Sequence, residues 1–374
     1  MHRPRVLYVV LERDWSGAET AYVPILRADP DPLLACPPGS ATEAWARRLG
    51  IETVALEHRA VRTSAGGTEA LRGAGRALLA ARDLRRVLAA HPDRRVVVAT
   101  SVRPGIVASL AALGLHGRVV VWTITDLVRP APVAAAVRAL ARATRARAIT
   151  HSRYVAERMA PRALVSPPGV SPAEDAAPSR EPEVALLVGH VSPTKHTELA
   201  LEIALRVSEH VPGFRVDVLG RAQYRDEDHA LERRLRERLR TDPVAARHMR
   251  LLGHDQDVAG RMRDAGLLLH CRPDEPFGMV LIEAMAAGLP VVAPAAAGPL
   301  EIVLDGETGL LYPPGDADAA ARCVLRLVRD PALSRRLGAA GRERVRRCFS
   351  AERQVADFDA FLHKIAPGHP ASSS

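Results

Sequence analysis

Two glutamates eight residues apart, Glu275 and Glu283, are the side chains whose types and spacing best suit binding chemistry in this sequence. Glu275 lies in a loop, and Glu283 lies just past two turns inside a helix predicted from Met279 to Ala287. Gly288 and Pro290 should end that helix, because glycine closes helices in the left-handed conformation and proline cannot continue them. A carboxylate placed inside such a helix can accept hydrogen bonds from two neighbouring hydroxyl groups.

The start of the same helix is a candidate anion site. Its first N–H groups lack acceptors in a preceding turn, and the helix dipole adds partial positive charge there. The residues that would surround a bound anion are Phe277, Gly278, Met279, Val280 and Leu281. Gly278 would let a ligand approach closely. A phosphate on the helix end, a sugar on Glu275 and a ribose on Glu283 fit this layout, which therefore suits a nucleotide sugar.

Several further motifs lie in register with these glutamates. Pro-Phe-Gly follows Glu275, and Glu283 opens the run Glu-Ala-Met-Ala-Ala-Gly-Leu-Pro-Val-Val. Gly-x-x-Glu at 298–301 and Asp-Gly-x-Thr-Gly at 305–309 come next. Together these motifs resemble the Glu-x7-Glu signature of the retaining glycosyltransferases of family four, and the match covers essentially the whole C-terminal half. The resemblance implies the GT-B fold, an α/β architecture of two Rossmann-like parallel-sheet domains facing a cleft.

The resemblance also implies an activity and a set of site residues. The expected enzyme moves a sugar from a nucleoside-diphosphate sugar, UDP- or GDP-linked, to a hydroxyl of the acceptor with retention, and it needs no metal or other cofactor. Catalytic roles are expected for Glu275, Lys195 and Asp126. Donor-binding roles are expected for Gly17, His190, Lys195, His254, Glu275, Phe277, Gly278, Met279, Val280, Leu281 and Glu283.

Two positions depart from the family pattern. Relatives usually have Gly-Arg followed by Lys, and both cations grip the diphosphate; here His190 replaces the arginine, whereas Lys195 matches. Lys195 is informative because Lys364 is the only other lysine among 52 basic residues. Relatives also show His-Asp at a strand end where this chain has Thr125 and Asp126. The residue that usually places substrate hydroxyls is therefore absent on the acceptor side.

Two other expected contacts lie at strand ends. The loop holding Gly17 resembles the Gly-Gly-Ala-Glu-like loop after the first strand of relatives. Ser16-x-x-Glu19 in that loop is a capping box, which predicts the start of a helix. Pro24 is predicted to kink this helix. His254 follows a predicted strand where relatives read the nucleobase largely with backbone atoms.

Composition narrows the class of protein. The net charge is +9, but the arginines are interleaved with acids and aromatic residues make up only 3% of the chain, which argues against nucleic-acid binding. The N-terminus has no small-residue cleavage site, and no apolar run approaches the length of a membrane span. The four cysteines form no Cys-x-x-Cys pair and are interpreted as reduced core residues of a cytoplasmic protein.

Hydrophobic periodicity predicts a parallel sheet with covering helices in each half. Strands are expected in the first half at 5–11, 52–56, 95–100, 119–123 and 148–150, with helices at 69–90, 104–113 and 133–144. Strands are expected in the second half at 184–188, 215–219, 249–252, 267–270 and 291–293, with helices at 279–287, 317–329, 331–348 and 350–365. The predicted organisation is an acceptor-binding domain at 1–170, a linker at 171–183, a nucleotide-sugar-binding domain at 184–348, a helix at 349–366 that crosses back, and a disordered tail at 367–374.

The motifs in the sequence constrain the acceptor less than the donor. The Arg, Ala, Gly and Pro bias indicates a GC-rich bacterium, in which relatives glycosylate small molecules such as aminoglycoside-type antibiotics or build envelope glycolipids. The basic helix at 69–90 has no bulky aromatics to insert, which favours a small-molecule acceptor over contact with a membrane surface. Glycolipid or mannosyl transfer is the alternative. A non-catalytic nucleotide-sugar-binding subunit and an epimerase on the same fold are the rivals, and the sequence sets no oligomeric state.

Overall fold

The computed structural model describes residues 3–12, 17–57, 68–128, 131–171, 181–223, 225–255 and 257–365. The chain divides into two compact units, one formed by Met1–Gly169 with Ala351–Ser374 and the other by Val170–Ser350. The predicted disordered tail at 367–374 and most of the predicted linker lie outside the described residues.

The strands of the described residues are β1 (Val6–Val9), β2 (Leu33–Cys36), β3 (Glu52–Ala55), β4 (Val96–Ala99), β5 (Val119–Ile124), β6 (Arg147–Thr150), β7 (Leu164–Val165), β8 (Glu181–Val188), β9 (Arg215–Leu219), β10 (Met249–Gly253), β11 (Ala265–Leu269), β12 (Val291–Pro294) and β13 (Leu310–Tyr312). Their helices are α1 (Gly17–Thr20), α2 (Val23–Ala28), α3 (Ala41–Arg48), α4 (Thr68–Ala90), α5 (Val102–Ala112), α6 (Ala131–Ala143), α7 (Arg153–Met159), α8 (Thr197–Ser208), α9 (Asp226–Thr241), α10 (Pro243–His248), α11 (Val258–Asp264), α12 (Met279–Ala286), α13 (Pro299–Ile302), α14 (Ala317–Arg329), α15 (Pro331–Cys348) and α16 (Ala351–Ile365).

The first unit contains a seven-stranded sheet in the order β3-β2-β1-β4-β5-β6-β7 within its described residues, and every pair is parallel. Helix α16 belongs to this unit because Phe358 and Leu362 are buried in the apolar core beneath the sheet. Gln354 ties it further: its Nε2 donates to the carbonyl of Ala21 at 2.7 Å, and its Oε1 accepts from the N–H of Gly169 at 3.0 Å.

The second unit contains a six-stranded parallel sheet in the order β10-β9-β8-β11-β12-β13, as far as its residues are described. The chain adds β9 and β10 on one side of β8, and then returns to the other side with β11, β12 and β13. The strand order therefore reverses between β8 and β11. In open α/β sheets, ligand sites form outside the carboxyl ends of the strands at such a reversal.

Helix α12 is formed and ended as the sequence predicts. Gly278 precedes its first residue, and Gly288 follows it with a φ of 67°. The Gly288 N–H donates to the Met285 carbonyl and the Leu289 N–H to the Ala284 carbonyl, both at 2.9 Å. These two bonds make a Schellman closure, which satisfies carbonyls that the helix end would otherwise leave exposed.

Two local predictions are wrong. The helix expected after the first strand is not one kinked helix: α1 ends at Thr20 and α2 starts at Val23, so Pro24 lies in the first turn of α2, where its missing N–H is not needed. Part of the predicted linker, Glu181–Glu183, belongs to β8. The exposed residues at this end of β8 lack the apolar pattern from which a strand is predicted.

Strands β2, β7 and β13 were not predicted, because each is short and lies next to turn residues. Buried Cys36 and Cys271 and the half-buried Cys323 and Cys348 are all free thiols. Among the described residues, no helix is both long and apolar enough to cross a membrane.

Candidate functional site

The loop after β8 supplies the first part of the candidate site. It leaves the sheet at Gly189, whose N–H donates to Leu219 at 3.0 Å. Gly220 has a φ of 148°, and a Cβ there would collide with the Gly189 carbonyl, so two backbones meet at this point only because no side chain intervenes. The chain then forms a short 3-10 helix, Pro193–Lys195. Ser192 caps it by accepting the Lys195 N–H at 3.2 Å.

The loop after β11 supplies the second part. His270, Arg272, Asp274 and Glu275 follow the strand within six residues. The Glu275 carbonyl accepts from the Gly298 N–H at 2.9 Å, which anchors the loop. Because β8 and β11 are adjacent and parallel, their carboxyl ends bring the two loops together.

An ion pair joins the two loops. Lys195 Nζ donates to Glu275 Oε2 at 2.7 Å, and the side chains are 17% and 11% exposed. Two other basic groups surround the carboxylate: His270 Nε2 lies 3.5 Å from Oε2, and Arg272 Nη1 lies 3.8 Å from Oε1. Arg272 is itself held by Asp274, whose Oδ1 accepts from its Nε at 3.0 Å. One carboxylate thus faces three basic side chains in a partly dehydrated site.

Electrostatics keep Glu275 ionised. Burial alone would raise the pKa of Glu275, but Lys195, with smaller effects from His270 and Arg272, outweighs burial and lowers that pKa from 4.5 to about 2. At neutral pH the carboxylate is therefore an acceptor only, and it can receive hydrogen bonds from hydroxyl groups.

Helix α12 starts beside this carboxylate. Gly278 has a φ of 113°, and a Cβ there would lie 2.9 Å from Leu281 Cδ1 and 3.6 Å from Glu275 Cγ, so a larger residue would crowd the site. The Leu281 N–H donates to the Gly278 carbonyl at 3.0 Å. The candidate donors to an anion are therefore the N–H groups of Met279 and Val280, since the first N–H groups of a helix have no carbonyl one turn earlier.

Glu283 lies in the middle of α12 and is half-buried. Burial raises the pKa of Glu283. This carboxylate would therefore gain more than an exposed one from hydroxyl donors that replace its lost water.

His190 lies two residues after the end of β8, at the position where relatives usually have arginine. It is half-buried on the loop after β8. Burial, and then the nearby charge of Lys195, lower the pKa of His190 below 6.5, against opposing effects of Asp228 and Glu275. The ring is therefore uncharged at neutral pH and acts as a hydrogen-bonding group rather than as a cation.

The remaining predicted residues lie in several places. His254 is exposed at the end of β10. The Phe277 side chain is only 5% exposed and meets the Phe349 ring edge-on, with 5.9 Å between the ring centroids, so this side chain belongs to the core. Gly17 begins α1, and Asp126 is exposed after β5; both belong to the first unit. Ser16 of the predicted capping box lies outside the described residues.

His270 and Arg272 were not predicted as site residues from the sequence. Both stand at the carboxyl end of a predicted strand and directly before Glu275, and this position is the signal that could have found them. Their relevance depends on where the side chains point, which the motif match did not address. In the structure, both face the Glu275 carboxylate.

Two parallel-sheet α/β units define the GT-B class of folds. The chain superposes on the crystal structure of Anabaena Alr3699/HepE in complex with UDP-glucose with a TM-score of 0.83, covering 97% of this chain and 100% of the other at 17% identity. At this identity the likeness establishes the fold.

Sequence comparison relates the chain to known glycosyltransferases. Residues 173–344 match the family of glycosyl transferases group 1. A phosphatidyl-myo-inositol mannosyltransferase of Mycobacterium leprae is 45% identical over 105 residues, 27% of this chain and 28% of the relative. A D-inositol 3-phosphate glycosyltransferase of Geodermatophilus obscurus is 34% identical over 233 residues, 57% of this chain and 49% of the relative. The chain thus spans less than half the length of these two relatives.

Proposed function

We propose that this chain is a retaining glycosyltransferase that moves a sugar from a nucleoside-diphosphate sugar, UDP- or GDP-linked, to a hydroxyl of an acceptor. The observation that carries the proposal is the Lys195–Glu275 ion pair beside the start of α12, at the reversal of the second sheet. The loops after β8 and β11 thus hold hydrogen-bond donors for a diphosphate and a hydrogen-bond acceptor for sugar hydroxyls. The family match over 173–344 supports the same reading.

The leaving diphosphate would be held by charges that are in place before the reaction. Lys195 has three N–H donors, and Glu275 uses one of them. Arg272 keeps its charge at every relevant pH and presents a planar donor group, so it supplies the second fixed cation that His190 does not. The N–H groups of Met279 and Val280 add the positive end of the helix dipole. Donors oriented in advance toward a developing charge are a large source of rate enhancement.

The two glutamates would hold the rest of the donor. Glu275, ionised through its low pKa, would accept from sugar hydroxyls, and Glu283 would accept from the ribose. Cationic side chains and helix N–H groups would stabilise the negative charge of the leaving diphosphate, so the proposed reaction requires no metal ion. The roles of Gly17 and Asp126 on the acceptor side stay predictions from the resemblance.

The proposed acceptor is a small hydroxylated molecule. The reaction would belong to the biosynthesis of an aminoglycoside-like natural product. A glycolipid acceptor is the second candidate, because one relative is a phosphatidyl-myo-inositol mannosyltransferase at 45% identity over 105 residues. A non-catalytic nucleotide-sugar-binding role is less favoured, since Lys195 and Glu275 are both present and paired.

Nucleotide binding followed by product analysis tests the proposal. UDP, GDP, ADP and dTDP are first compared by thermal shift, because a ligand that binds the folded state raises the melting temperature. The sugar donor of the selected nucleotide is then incubated with the protein, and NMR reports the anomeric configuration of the product. We expect slow hydrolysis with retention in the wild type and its loss in Glu275→Gln. The control Glu307→Gln changes an exposed acid of the same unit and should retain activity.

Three results would contradict the proposal. Binding of no nucleoside diphosphate would remove the donor site. Binding without hydrolysis or transfer for any sugar would favour the accessory role. An inverted product would contradict retention.

A further inference from the structure

His270 is a buried polar side chain with an unmet hydrogen bond. The residue is 4% exposed, and its Nε2 atom is buried without a hydrogen-bond partner. The Oε2 atom of Glu275 lies 3.5 Å away. Leaving a buried polar group unpaired is unfavourable, so such an atom in an otherwise satisfied site calls for an explanation.

The backbone holds the ring in this position. The His270 N–H donates to the Val292 carbonyl at 2.8 Å, and the His270 carbonyl accepts from the Tyr312 hydroxyl at 2.8 Å. Strand β12 and the buried Tyr312 therefore hold the backbone N–H and the backbone carbonyl of His270. Because the anchor points are backbone atoms, substitution of the side chain leaves them in place.

Lys195 and His270 both lie near the same carboxylate oxygen of Glu275. Lys195 Nζ contacts Glu275 Oε2 at 2.7 Å, and His270 Nε2 stands 3.5 Å from that atom. Under the proposed function, Lys195 must also serve the diphosphate. An ammonium drawn toward a diphosphate loosens its hold on Oε2, and a buried carboxylate that loses its cation is strongly destabilised.

We propose that His270 is a positioning residue that takes over the Glu275 carboxylate when a bound diphosphate draws Lys195 away, with Nε2–H donating to Oε2. The inference rests on the proposed function and adds a second state to that site. A neutral donor suits this task because it satisfies the carboxylate and leaves the positive charges of Lys195 and Arg272 to the phosphates.

The protonation state of the ring agrees with this role. Burial lowers the pKa of His270 to about 4, against an opposing effect of Glu275, while Lys195 and Arg272 lower it further. The imidazole is therefore neutral at pH 7 and carries one proton. The nearby carboxylate favours the tautomer with that proton on Nε2.

A double-mutant cycle on UDP affinity tests the inference without requiring turnover. Titration calorimetry at pH 7.5 compares wild type, His270→Phe, Glu275→Gln and the double variant. We expect His270→Phe to weaken UDP binding about 10-fold or more, the loss typical of one charge-assisted hydrogen bond. In the Glu275→Gln background the same substitution should change the affinity less than about twofold, because no carboxylate is left to satisfy.

Two further variants separate positioning from structure. His270→Gln places an amide donor near the position of Nε2 and should restore UDP affinity to within a few-fold of wild type. His270→Met also removes the donor and takes the place of His270→Phe if the larger ring prevents folding, as judged by melting temperature. The matched control is His210→Phe, an exposed histidine of the same unit, which should bind UDP as the wild type does.

Each outcome is decisive. An equal loss of UDP affinity in the wild-type and Glu275→Gln backgrounds would show a merely structural role and overturn the inference. Undiminished UDP affinity in both His270→Phe and His270→Met would also overturn it. So would a His270→Gln variant that binds UDP as weakly as His270→Phe does. Under any of these results the wild type still binds UDP, so the proposed function stands. A wild type that binds no nucleoside diphosphate overturns the proposed function and this inference with it.

Discussion

Replacing Lys195 with methionine isolates the ion pair at the centre of the proposed site. Methionine keeps much of the side-chain volume but removes the ammonium that faces Glu275 at 2.7 Å. The carboxylate, in a residue only 8% exposed, is then left with His270 and Arg272 at longer distances. Burial, which opposes ionisation of Glu275, should then dominate its titration.

The size of the effect follows from the pKa. In the folded protein the pKa of Glu275 is lowered from 4.5 to about 2. A difference of about 2.5 pKa units at about 1.36 kcal/mol each gives about 3 kcal/mol of folding free energy at neutral pH. Removal of one partner of a buried ion pair usually costs about 3–5 kcal/mol of stability, a range that includes this value. This value is the loss if the pKa of Glu275 only returned to 4.5. Because burial should raise the pKa further in Lys195→Met, we expect this variant to lose at least about 3 kcal/mol at pH 7.

The sign of the pH dependence makes the prediction sharper. Because the folded pKa is depressed, the stabilisation by ionised Glu275 is present above about pH 4.5 and disappears as pH falls toward 2. In Lys195→Met, burial raises the folded pKa, so stability is retained at low pH and lost as pH rises through that value. The difference between the two proteins should be largest near pH 7 and shrink toward pH 3.

Calorimetric unfolding between pH 3 and 7 measures this difference. Lys364→Met is the matched control, because it removes the only other lysine of the chain, which is exposed on α16 in the first unit. Lys195→Met combined with Glu275→Gln should recover most of the lost stability. Equal stability of wild type and Lys195→Met at pH 7, or a difference that does not shrink in acid, would refute the reasoning.

Three other predictions concern the donor. Glu283→Ala should weaken nucleotide binding about 10- to 100-fold, the loss typical of hydrogen bonds to a charged group, with an unchanged melting temperature; affinity equal to that of the control Glu307→Ala would contradict the ribose assignment. Activity should survive EDTA, and strict dependence on magnesium or manganese would show that the diphosphate site is misassigned. A bound diphosphate favours protonated His190 and should raise its pKa, which burial holds below 6.5 in the free protein. Wild-type affinity should therefore be strongest below the free-protein pKa, weaken as pH rises and level off above the bound-state pKa, whereas the affinity of His190→Arg should not change with pH. Parallel curves, corrected for the titration of the nucleotide, would show that His190 does not contact the phosphate.

The sequence by itself determined the features that depend on neighbours in the chain. The end of α12 at Gly288 follows from local backbone chemistry, and the alternation of apolar segments predicts two parallel-sheet units. Glu275, Lys195 and Glu283 were found because their spacing within motifs is a local property. Strand β2 was not predicted, because four residues are too few to show a hydrophobic pattern. The division between α1 and α2 at Pro24 was not predicted either, because a proline is compatible with either a kink or a helix start.

Only the tertiary structure decided what depends on contacts between distant segments. Lys195 and Glu275 are 80 residues apart and form an ion pair because β8 and β11 are neighbours in the sheet. His270 and Arg272 lie on the same loop as Glu275, and only the folded path of that loop shows that both side chains face the carboxylate. Burial and neighbouring charge set the low pKa of Glu275 and the neutrality of His190, and neither can be read from residue type. The physical reason is that solvation and Coulomb interactions depend on distances through space, which a linear pattern does not contain.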